Sequence, residues 1–112
     1  MSVNKKLHLA LGVKDIGESV KDYSKRLGCD PVVKIDNQYA LFRTDTLNLS
    51  IRRVDDSKLG LRHLGFESEE YSSFQTDTDC NGILWETFPK QAQIDEIVEI
   101  WPEAALDNPY LK

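Results

Sequence analysis

Histidine occurs twice in this 112-residue chain, as His8 and His63, and the two settings match. In Leu7-His8-Leu9-Ala10 and in Arg62-His63-Leu64-Gly65 the imidazole precedes a leucine and then a small residue. The histidines stand 55 residues apart, about the size of one supersecondary unit, and self-similarity at a fixed spacing points to a repeated module. A neutral imidazole offers a nitrogen lone pair to a metal or a proton to a reacting group. The carboxylate that could join them is Glu99, flanked by Val98 and Ile100, where an unpaired charge would be costly. Two imidazoles and one carboxylate on one face of an octahedral ion leave up to three positions open. Such a set favours Fe(II), with Mn(II), Ni(II) or Zn(II) as alternatives. The plain alternative is a hydrogen-bonded core histidine on each strand, with no metal at all.

Both histidines need strands to position them. Leu7 to Val13 alternates, with Leu7, Leu9, Leu11 and Val13 on a core face and His8, Ala10 and Gly12 on the other. Asp15 to Glu18 reads as a capping box, and Ile16, Val20, Tyr23 and Leu27 follow at helical spacing. Lys25 and Arg26 suit the last turn and Gly28 closes the helix. Strands are expected over 31–35, 38–43 and 47–54, with a turn at Asp36-Asn37. The polar run Asp55 to Lys58 separates a first module, about 5–54, from a second, about 59–102, with a tail over 103–112. The second module opens on the His63 strand and has room for only a turn or two of helix over 69–74. A strand over 83–88 ends at Pro89, and 94–101 reads as the last strand, carrying Glu99. The chain is expected to be one α+β domain in which two βαβββ modules form a curved mixed sheet around a shared cleft.

Composition narrows the partners. A net charge of −5 without a clustered basic face argues against nucleic acid. No stretch approaches a membrane span, and the N-terminal residues do not read as a signal peptide. Cys29 and Cys80 are expected to be free thiols of a cytoplasmic protein. Tyr39 and Trp85 are candidates to line a pocket, although aromatic residues on strands more often fill a core.

The doubled βαβββ unit, with His8, His63 and Glu99 on its first, fifth and last strands, resembles the vicinal oxygen chelate superfamily. That group includes glyoxalase I, extradiol dioxygenases, fosfomycin-resistance thiol transferases and bleomycin-binding proteins. The similarity covers nearly the whole chain. Over Leu47-Asn48-Leu49-Ser50-Ile51 and Leu61-Arg62-His63-Leu64-Gly65 it is greatest to the branch of cadmium-induced proteins and organoarsenical lyases. The resemblance implies a divalent metal on His8, His63 and Glu99, with Glu99 also the catalytic candidate. It implies a small-molecule ligand and is compatible with a homodimer. In that branch a cysteine pair receives the arsenical, whereas Thr78-Asp79-Cys80-Asn81-Gly82 offers Cys80 alone. Arsenic(III) prefers two or three thiolates, so Cys80 is a weak substrate-binding candidate and arsenical lysis an unsuitable reaction. The expected function is a small metal-dependent enzyme of lyase, dioxygenase or isomerase type. The competing expectation is a non-catalytic protein that sequesters a drug or metabolite with the histidines unmetallated, and a third is a structural module with a filled cleft.

Overall fold

The computed structural model describes residues 5–112. Seven strands form one mixed sheet in the order β2-β3-β4-β1-β5-β7-β6. The strands are β1 (Lys6–Val13), β2 (Val33–Ile35), β3 (Tyr39–Arg43), β4 (Leu47–Arg53), β5 (Gly60–Glu67), β6 (Gln75–Thr78) and β7 (Leu84–Phe88). Helix α1 (Ile16–Leu27) follows β1, and α2 (Lys90–Ile100) and the short α3 (Ala104–Asp107) follow β7. The α+β class and the curved mixed sheet are as the sequence led us to expect.

At the centre, β1 and β5 run antiparallel with Leu9 opposite Leu64. One step to either side, His8 faces Gly65 and Ala10 faces His63. The pattern of histidine, leucine, small residue thus has a structural reason. Around the local twofold each imidazole lies across from the small residue that follows the other histidine, so both rings fit on one face. Each central strand then pairs in parallel with a later strand of its own half, β1 with β4 and β5 with β7. In turn β4 pairs antiparallel with β3, as β7 does with β6.

Helix α1 forms where its caps dictate. The Asp15 carboxylate accepts from the Glu18 backbone N–H at 2.8 Å, and Gly28 ends the helix at φ 72°, a conformation glycine adopts without strain. Its stripe of Ile16, Val20, Tyr23 and Leu27 covers Ala40, Phe42, Leu49 and Ile51 on one face of the sheet. The opposite face of the same half, Val33, Tyr39 and Leu41, is covered by Ile94 and Ile97 of α2 and by Leu111.

One sequence expectation is corrected here. Residues 94–101 are the end of a helix, not a strand. Ile94, Ile97, Val98 and Trp101 recur at helical spacing and all pack against the sheet core. Pro89 stands just before the first helical residue, so it starts this helix as well as ending β7. The polar stretch before β7 contains β6, an edge strand with every residue exposed to solvent. The tail over 103–112 forms α3 and a 3-10 turn over Pro109–Leu111, with Leu111 buried. The shortened helix of the second half is reduced to a turn, in which Tyr71 N–H donates to Ser68 O at 3.2 Å. Among the described residues no helix is long and apolar enough to cross a membrane.

Candidate metal centre

The face of the sheet that carries both histidines opens into a cavity of about 210 Å3. His8 is 2% exposed at its edge with the core, and Phe88 packs edge-on against its ring at 4.9 Å between centroids. His8 Nε2 and His63 Nε2 lie 3.1 Å apart. Glu86, at the middle of β7, brings a carboxylate oxygen to 3.5 Å from His63 Nε2. Ligand atoms of His8, His63 and Glu86 all fall within 4.8 Å of one another.

Glu86 reaches this point because of register. It pairs with Gly65 on β5, and Gly65 has no side chain to hold β7 away. A Cβ there would meet the Glu86 carbonyl oxygen at 1.7 Å, so the approach of the two strands requires glycine. In the first half the corresponding pair is Ala10 with Ser50. The local twofold therefore relates four positions around the cavity, His8 to His63 and Ser50 to Glu86, and three of them carry metal-ligand chemistry.

Hydrogen bonds decide which nitrogen His8 presents. Its Nδ1 lies 2.8 Å from Asn48 Oδ1. The Asn48 amide nitrogen donates to Glu67 Oε1 at 2.7 Å and to Gln93 Oε1 at 2.8 Å, so the amide oxygen must face His8. Nδ1–H then donates to that oxygen, and Nε2 carries the lone pair toward the cavity. Glu67 is anchored in turn by Arg43, which donates through Nε at 3.0 Å and through Nη2 at 2.7 Å. A buried relay from Arg43 through Glu67 and Asn48 thus fixes the His8 tautomer and orientation, the support that metal-binding imidazoles ordinarily have.

The electrostatics agree with this assignment. Burial pushes the His8 pKa down, outweighing its Asn48 bond and keeping the ring neutral. At Glu86 burial pushes the carboxyl up, but the hydrogen bond and charge of His63, helped by His8, outweigh it and hold the group below its ordinary value. Glu96 of α2, which also lines the cavity, is raised by burial and by the charge of Glu86.

A divalent ion about 2.1 Å from each of two cis ligands holds them about 3.0–3.4 Å apart. The 3.1 Å separation falls in that range and the 3.5 Å separation lies just beyond it, within reach of a small side-chain adjustment. Two imidazole nitrogens at 3.1 Å, one of them committed as an acceptor, also need a proton or a cation between them. The donor set of two imidazoles and one carboxylate suits Fe(II), Mn(II), Ni(II) or Zn(II).

The candidates from the sequence divide. His8 and His63 meet, and Tyr39 lines the cavity beside them. Glu99 does not join them: it is exposed on α2, in a separate surface groove with Ser72, Ser73 and Pro89, because the segment is helical and turns this residue away. The carboxylate at the histidines is Glu86. Trp85, its chain neighbour, points to the opposite face, where it stacks near Phe66 and donates to Asp79 Oδ2 at 2.8 Å. Cys80 is exposed in the β6–β7 turn, outside the cavity, and neither it nor Cys29 is paired. Sequence reasoning missed Glu86 and Asn48. The available signal was the strand ending at Pro89, whose central residue takes the place in the second half that Ser50 takes in the first.

No family model matches the chain. No curated protein matches it either. Solved structures do. One, described as an NAD-dependent benzaldehyde dehydrogenase from Legionella pneumophila, is 15% identical, with a TM-score of 0.51 over 74% of this chain and 97% of that one. Another, a hypothetical protein from Staphylococcus aureus, is 14% identical, with a TM-score of 0.54 over 77% of this chain. The match covers 34% of the length of that protein. At such identities the likeness is one of fold.

Proposed function

We propose that this chain is a small divalent-metal enzyme of the vicinal oxygen chelate superfamily, acting on a small molecule held in the cavity between its two halves. The observation that carries this reading is the convergence of His8, His63 and Glu86, at 3.1 Å and 3.5 Å, with His8 locked by Asn48 into the tautomer a metal needs. The paired half-sheets around a local twofold support the superfamily assignment, and Fe(II) is the favoured ion. When bound, the ion would act as a Lewis acid, polarising an oxygen of the substrate. The chain's own groups do the rest. Asn48 holds His8 aimed, burial keeps it neutral, Glu86 supplies the negative charge, and Ile97 and Trp101 form an apolar wall on one side of the cavity. Lyase, dioxygenase and isomerase chemistry all use such a centre. With Cys80 outside the cavity, the site offers no thiolate for a soft arsenical.

The test is a titration of Fe(II), Mn(II), Ni(II) and Zn(II) into untagged protein and into four variants. One equivalent should bind, and His8→Ala, His63→Ala and Glu86→Gln should each weaken it by at least ~100-fold, beyond what outer-shell changes cost. Glu99→Ala should bind as the wild type does. If the wild type binds none of the four ions, the enzyme reading fails and a metal-free binding protein takes its place.

A further inference from the structure

Arg62 and His63 are consecutive residues of β5, yet both line the cavity. Regular alternation would send them to opposite faces of the sheet. The cause is a break in the β1–β5 ladder: Ala10 faces His63, but the next residue, Leu11, faces Leu61. Arg62 is therefore an extra residue, a bulge, and bulges re-aim side chains beside functional sites. Arg52 enters the same cavity from β4, two residues beyond Ser50 on the same face. Its guanidinium sits 5.4 Å from the centroid of the Trp101 ring, which limits its freedom. Among the described residues neither arginine has a carboxylate within ion-pair distance, although Glu86 and Glu96 line the same space.

We propose that the cavity takes a small organic anion, a carboxylate on a short apolar body. Arg52 and Arg62 hold its charged end, and Ile97, Ile100 and Trp101 pack against the remainder. Two uncommitted guanidiniums aimed into one space suit a carboxylate, whose two oxygens match their paired donors. The charge balance favours the same ligand. The two arginines offset the two carboxylates of the lining, so a divalent ion on His8, His63 and Glu86 leaves positive charge with no counterpart in the cavity. The anion site stands on the arginines themselves. Only its expected strengthening by metal rests on the function proposed above.

Calorimetry with phenylacetate and with its neutral counterpart phenylacetamide tests this, on metal-free and on Mn(II)-loaded protein. Phenylacetate should bind and the amide should not. Loading with Mn(II) should tighten the acid by ~10-fold or more, the size of effect that one additional charge-assisted interaction brings. Arg52→Gln and Arg62→Gln should each weaken phenylacetate by ~10-fold or more and leave Mn(II) affinity within about twofold. Arg62 is exposed, so its variant carries the test if the Arg52 variant does not fold. Equal binding of acid and amide, or undiminished acid binding in the Arg62 variant, overturns the proposal. A protein that binds no Mn(II) but still selects the acid through the arginines keeps the anion site and removes the metal enzyme.

Discussion

The two halves of the sheet share a strand plan and differ in what surrounds it. In the first, β1, β4 and β3 gain an edge strand, β2, and are covered on both faces, by α1 on one and by α2 with Leu111 on the other. In the second, β5, β7 and β6 have no helix of their own after β5, and Leu64, Phe66 and Trp85 on the outer face stay only partly buried. The halves also divide the site unequally. The covered half gives His8 to the cluster, with the buried relay behind it; the bare half gives His63 and Glu86. The relay and the larger share of the cluster lie on opposite sides of the twofold. The difference teaches that a duplicated scaffold need not keep a duplicated site: Ser50 occupies the position where symmetry would put a second carboxylate.

The sharpest way to break this comparison is at the two small residues that face the imidazoles. Ala10 is fully buried and already tolerates its methyl group, whereas a Cβ on Gly65 would lie 1.7 Å from backbone. Gly65→Ala should therefore destabilise the protein by about 3 kcal/mol and also displace Glu86. Ala10→Gly, at the equivalent position, should cost only about 1 kcal/mol. Urea unfolding of the two variants checks both, and equal losses would mean that the β5–β7 approach is not specially tight.

Restoring the missing ligand sharpens it. Ser50→Glu should place a second carboxylate opposite Glu86 and tighten Zn(II) or Mn(II) binding by roughly tenfold, since affinity rises with ligand charge. Unchanged affinity would show that position 50 does not share the centre.

The smallest effect is on stability against pH in metal-free protein, and it tests the relay. The folded state depresses the His8 pKa below its ordinary 6.5, so the unfolded chain takes up its proton first as pH falls. The contribution from a neutral His8 is complete above that value and is lost as pH drops below it. At Glu67 burial pushes the carboxyl up, but the bonds from Arg43 and Asn48 outweigh it and leave it below its ordinary 4.5. Its contribution is present above that value and is lost on further acidification. Chemical denaturation from pH 8 to about pH 2 should show two successive declines, and His8→Gln should remove the one nearer neutrality.

Much of this was legible in the sequence. The caps of α1, the strands of the first half and the repeat of the two histidines follow from local chemistry and short-range spacing. The segment 94–101 misled because Ile97, Glu99 and Trp101 can be grouped by twos, while Ile94, Ile97, Val98 and Trp101 can be grouped by threes and fours. Only the sheet beneath it, with Val33, Tyr39 and Leu41 needing cover, decides between them. Glu86 was hidden for a related reason. Its role depends on which strand lies beside β5, and that is a long-range fact about register. Arg62 was hidden by the rule that alternation holds along a strand.

That exception has a consequence for how such a site can change over time. Side chains on a strand read like a two-letter frame, and one added residue shifts the frame on one side only. With the extra residue at Arg62, everything from His63 to Glu67 keeps its pairing with β1, and the cluster of His8, His63 and Glu86 is undisturbed. A single-codon insertion or deletion at this point could therefore add or withdraw a charge at the cavity while the histidine beside it stays where it is. The chain carries, in one unpaired residue, a place where the charge lining the cavity can be edited separately from the two histidines and Glu86.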